Sequence, residues 1–147
     1  MKTILVLLMA LSLNVFAHDE GHGPKLTDAP KQGGVITSVV LAKEASKGTK
    51  ADLVYKSELA RTSDGTVRVY YYDKTMKQID LKGFAQKAKA DLITSKKGKV
   101  NVQKFELEKH GDHYMGKMPK PARRPYNIDV KVKEGEKELL AAFDNLD

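Results

Sequence analysis

Apolar residues return at every second position along most of this chain. In Thr66–Asp73, Val67, Val69 and Tyr71 alternate with Arg68, Tyr70 and Tyr72, the mark of a half-buried strand. Tyr126–Lys133 has the same period, and Val35–Ala42 is a β-branched apolar run that reads as a strand. Ala51–Lys56, the short Gln78–Leu81, Lys99–Leu107, His113–Met118 and Lys137–Phe143 complete the clear set. Within Lys99–Leu107 the apolar phase shifts between Val102 and Phe105, as at a β-bulge. Ala85–Thr94 contains helix formers. Ala88, Ala90 and Leu92 nonetheless alternate with Lys87, Lys89 and Asp91, and Gly83 and Lys96-Lys97-Gly98 bound the segment, which predicts another strand.

Polar and glycine-bearing breaks separate these runs: Lys43–Lys50, Ser63-Asp64-Gly65, Lys109–Asp112 and Glu134-Gly135-Glu136. About eight or nine short strands, with a turn signal roughly every 8–12 residues and no long helix, predict an all-β domain. The expected fold is an immunoglobulin-like antiparallel β-sandwich over residues 33–147.

The two termini of the pattern differ from the middle. Residues 1–17 carry Lys2, an apolar run from Ile4 to Leu13, and Val15 and Ala17 at the positions a signal peptidase reads. That is a secretory signal peptide by its three-part pattern. The run is too short for a spanning helix, which needs roughly 20 apolar residues, and no later stretch is longer or more apolar. Residues 18–32, HDEGHGPKLTDAPKQ, hold almost no apolar side chains and predict a flexible, histidine-containing arm. The expected location is periplasmic or secreted.

Composition narrows the chemistry. The chain has no cysteine, so no disulfide supports an exported fold and thiolates are excluded as metal ligands or nucleophiles. Its net charge is +7, from lysines dispersed along the chain. That favours acidic partners over nucleic acid, for which arginine clusters interleaved with aromatics are missing. No phosphate-binding loop, H-E-x-x-H or nucleophile elbow occurs, so no enzyme is expected.

All four histidines fall in two close pairs: His18 and His22 in HDEGH, and His110 and His113 in HGDHYMGKM. Cleavage after Ala17 makes His18 the first residue, where the terminal amine and imidazole chelate one ion together. Imidazole suits copper, zinc or nickel, and the thioethers of Met115 and Met118 select monovalent copper. The competing reading is a polar arm and a solvated hairpin, with Met115 packed in the core. If the arm folds back onto the hairpin, His18, His22, His110, His113, Met115 and Met118 form one mixed site.

Several segments in order, Gly33-Gly34-Val35, ADLVYK, DGTVRVYYYD, QIDLKG and YNIDVKVKEGEKELLAAF, resemble small bacterial periplasmic immunoglobulin-like proteins associated with heavy-metal efflux systems. The resemblance implies an immunoglobulin-like fold, a metal-binding role and a metal-efflux component as partner.

The leading expectation is an exported protein that binds or carries copper. The alternative is an envelope interaction module that binds a protein or acidic polymer without metal. It would use the lysine faces, Tyr70 and Tyr72 as an exposed pair, and Arg123 and Arg124 in PKPARRP. A small copper oxygenase using His18 is a minor third reading.

Overall fold

The computed structural model describes residues 22–147. Eight strands dominate it: β1 Val35–Leu41, β2 Tyr55–Arg61, β3 Thr66–Tyr72, β4 Lys87–Lys96, β5 Lys99–His110, β6 His113–Lys117, β7 Tyr126–Glu134 and β8 Lys137–Leu146. The residues Ala42–Lys50, expected only as a polar connection, form 3-10 turns kinked at Gly48.

All neighbouring strands are antiparallel, in the order β1-β2-β3-β6-β5-β4-β7-β8, and the ladder closes into a barrel. Closure runs through Val39↔Ala141, Val40↔Leu140 and Leu41↔Leu139. The expected immunoglobulin-like sandwich is therefore wrong. A sandwich and a barrel share the same local alternation of apolar and polar residues, one side to the core and one outward. Whether the first and last strands pair is a long-range fact that the alternation does not record. The β3–β4 connection passes over β6 and β5, and the β6–β7 connection passes over β5 and β4, so two Greek-key crossings interlock.

Antiparallel order also sorts the connections by end. The 3-10 turns, residues 73–86, and the turns at 111–112 and 135–136 share what we call the upper end. Gly33-Gly34, the turns at 62–65 and 97–98, residues 118–125 and Asp147 share the lower end.

The interior is filled by side chains. Val67, Val69 and Tyr71 of β3 point inward with Tyr114, Leu107, Ile128, Val130 and Phe143 from other walls. Tyr71 packs edge-on against Tyr114 at 6.0 Å and tilted against Phe84 at 5.5 Å.

The arm is not a loose tail over its described part. Residues 22–34 form a strap on the outer face of β1 and β2, and one buried carboxylate holds it. Glu58 is fully buried on β2, and it accepts the N–H of Lys31 (2.9 Å), Gln32 (2.7 Å) and Gly34 (2.9 Å) and the hydroxyl of Tyr72 (2.9 Å). Burial works to raise this carboxyl, but the backbone donors of Gly34, Lys31 and Gln32 and the Tyr72 hydroxyl outweigh it, holding Glu58 below the usual carboxylate range. Further along, Asp28 pairs with Lys56 at 2.7 Å, and Ser38 donates to the carbonyl of Pro24. Gly34 passes so close that a Cβ there would sit 2.3 Å from the Leu59 carbonyl oxygen.

The strap also explains a misplaced strand. The expected strand at 51–56 lies instead at Tyr55–Arg61, whose Lys56, Ser57 and Glu58 are polar yet buried. With its outer face covered, β2 has no wet side and no alternation to read. Gln78–Leu81 likewise forms no strand; Gln78 makes an isolated bridge to Tyr72.

The expected bulge between Val102 and Phe105 is absent. The β4–β5 ladder is unbroken from Lys87↔Glu108 to Lys96↔Lys99. Phe105 and Leu107 face inward opposite Ala90 and Ala88, whereas Val102 lies opposite Ile93 on the outer face. The apolar phase changes because the tip of this hairpin outruns the core, not because the strand kinks.

Candidate functional site

The sequence HGDH builds a tight hairpin. His110 and His113 are directly paired across the two-residue turn Gly111-Asp112. Gly111 has φ +66, the conformation that the first central position of a type II′ turn requires and glycine supplies. Gln78 reaches over from the β3–β4 connection and donates to the Asp112 carbonyl at 3.0 Å, clamping the turn.

Direct pairing puts both imidazoles on the outer face of the barrel. Their ring centroids are 6.4 Å apart and nearly parallel, at 24°. His113 in turn stacks on Tyr70, its neighbour on β3, at 5.1 Å. On the same face, two residues along each strand, lie Glu108 and Met115, also directly paired. Arg68 stands opposite Met115 on β3. Arg68, Glu108, His110 and Met115, together with Thr66, Glu106, Gly116 and Lys117, line a shallow outer groove. Gly116 permits the close approach, since a Cβ there would lie 2.5 Å from the Glu106 carbonyl oxygen.

The electrostatics favour one tautomer of His113. Asp112 Oδ1 lies 2.7 Å from His113 Nδ1, and the hydrogen bond to His113 is the main reason its carboxyl sits below the usual range. A proton held on Nδ1 by a carboxylate leaves the Nε2 lone pair for an ion, which is how metal-ligating histidines are commonly oriented.

The other expected ligands are not gathered here. Met118 lies five residues past His113, about 17 Å along an extended strand, packed against the core near the lower end. His22 sits at the start of the strap, beside Gly23, whose position abuts Ser38 and Val40 of β1. It lies close to Asp129 of β7, a carboxyl raised first by burial and then by Asp144. That wall is across the barrel from β6, so His22 and the 110–113 hairpin do not meet. His18 and the signal-peptide segment lie outside the described residues. Among the described residues, no group of three or more His, Asp or Glu side chains is arranged to hold a metal ion.

The expected tyrosine platform does not form either. Tyr72 is 1% exposed and bound to Glu58, and Tyr70 lies against His113. Sequence reasoning passed over Asp112, Glu108 and Tyr70 as members of the histidine site. Asp112 and Glu108 were within reach, as a turn aspartate next to His113 and a residue two positions from His110. Tyr70 was not, because its contact depends on β3 and β6 becoming neighbours.

No helix among the described residues is long and apolar enough to cross a membrane. Comparison of the chain with protein-family models, with curated proteins and with solved structures finds no match.

Proposed function

We propose that this is an exported transition-metal binding protein whose ion, copper by preference, docks on the outer face of the β5–β6 hairpin. His113 Nε2 is the primary ligand, His110 the second, and the Met115 thioether completes the set. A thioether favours monovalent copper. The observation that supports this reading is the cross-strand imidazole pair with Asp112 held against His113 Nδ1. With two imidazoles and an open outer side, the role is capture and release to an envelope partner such as an efflux component, without bond-making chemistry. His18, as the exposed first residue of the processed chain, would add a separate terminal chelate.

Titration of the processed protein with cupric and cuprous ions, followed by calorimetry, tests the proposal. His113→Ala is expected to abolish the hairpin-dependent binding, and Asp112→Asn to weaken it by about 10–100-fold through loss of the oriented tautomer. Wild-type affinity in His110→Ala and His113→Ala alike would refute the site. His18→Ala reports separately on the terminal chelate.

A further inference from the structure

Several strands of the barrel outrun one neighbour, and the longest run without a partner among the described residues lies on one edge of β5. Strand β5 pairs with β4 over its whole length, but with β6 only from Glu108 to His110. From Lys99 to Phe105 its second edge faces no strand among the described residues. We propose that this edge accepts an extended acidic segment of a partner protein, which adds to β5 as a further strand.

The backbone directions follow from the turn. Lys97 and Gly98, with φ of 49° and 77°, form the two-residue turn of the β4–β5 hairpin, so Lys96 and Lys99 exchange hydrogen bonds across it. Bonded and non-bonded residues then alternate. Lys99, Asn101, Gln103 and Phe105 point their N–H and C=O groups at β4; Val100, Val102 and Lys104 point theirs away. The Glu106 carbonyl, next in the outward set, lies on the β6 side beside Gly116, as this phase requires. Three residues thus offer unpaired donors and acceptors in a row, the template for strand addition.

The side chains beside this edge have a recognisable chemistry. Val100 and Val102 are 51% and 45% exposed, the most exposed large apolar residues described, and both lie on the outer face, opposite Ser95 and Ile93 of β4. Lys96, Lys97 and Lys99 surround the tip, and no carboxylate occurs from Leu92 to Phe105. An added strand would set alternate apolar residues against the two valines and acidic residues against the lysines. Arg123 and Arg124, both exposed, belong to the same lower end. A second copy of this chain is a poor occupant: it would bring another lysine-rich tip to an end that is already basic. Lysines on an exposed edge discourage exactly such self-pairing while leaving an acidic strand welcome.

The probe is a short synthetic peptide alternating valine with glutamate, compared with its lysine counterpart and with phosphatidylglycerol vesicles. Residue-resolved amide exchange on the full folded domain is the readout. The glutamate peptide is expected to slow exchange at Val100, Val102 and Lys104 by about tenfold or more, and the lysine peptide to leave it unchanged. Val102→Pro removes the central outward donor while sparing the β4 ladder, and should weaken the peptide about tenfold. The double variant Lys96→Glu, Lys99→Glu, which touches no backbone group, should also abolish binding. Unchanged exchange at the three amides, or equal affinity for both peptides, would overturn the proposal. So would vesicle binding without peptide binding, which would assign the tip to a lipid surface. Protection that grows with protein concentration alone would assign the edge to self-pairing and overturn it as well.

Discussion

Glu58 is the side chain on which the strap depends. A buried carboxylate is costly unless its oxygens are satisfied, and here three backbone N–H groups and the Tyr72 hydroxyl satisfy them. Glu58→Gln replaces one acceptor oxygen by a donor facing donors, and is expected to cost on the order of 2 kcal/mol in chemical denaturation. The pH dependence has a definite sign. Because the folded carboxyl lies below its ordinary value, its contribution is present above the unfolded carboxylate pKa and is lost as pH falls through the lower, folded one. Protection of the Lys31, Gln32 and Gly34 amides, measured against their intrinsic exchange rates, should therefore fall in acid ahead of global unfolding, and lose that acid step in Glu58→Gln.

At the scale of elements, the hairpin turns were the most legible features, because turn chemistry is local. Gly111 and Gly135 supply the positive φ their turns need. The β4–β5 turn is less well matched. Lys97 holds φ 49°, a left-handed conformation that asparagine adopts more readily than lysine. Lys97→Asn is expected to stabilise the protein by roughly 0.5 kcal/mol, visible as a small rise in melting temperature; a fall would mean the lysine makes a contact worth more than its backbone strain. Strand β4 was likewise readable despite its helix formers, since Ala88, Ala90 and Leu92 face the core and Lys87 and Lys89 face water. Strand β2 was not, because covering its outer face erased the alternation that sequence reading relies on.

The whole molecule is a closed ladder with an external strap, and the two parts need not be equally stable. Truncation after Gln32 would remove two of the three backbone donors to Glu58 and the partner of Lys56, and expose the outer faces of β1 and β2. Far-UV circular dichroism should still report β-structure, since the barrel ladder and its core remain, while the urea midpoint should fall. An unchanged midpoint would mean that the strap rests on the barrel without stabilising it. The same architecture separates the two histidine pairs: the strap runs over β1 and β2, and β6 occupies another wall.

What the chain determined by itself was the all-β character, nearly every strand, the turns, and a paired-histidine hairpin, because each follows from neighbours along the sequence. Tertiary structure alone decided that the sheet closes into a barrel, that polar Glu58 and Lys56 are buried beneath the strap, and that His22 and Met118 lie away from His110 and His113. Those outcomes turn on which distant strands share hydrogen bonds, and an alternation of period two is the same whichever strands they are.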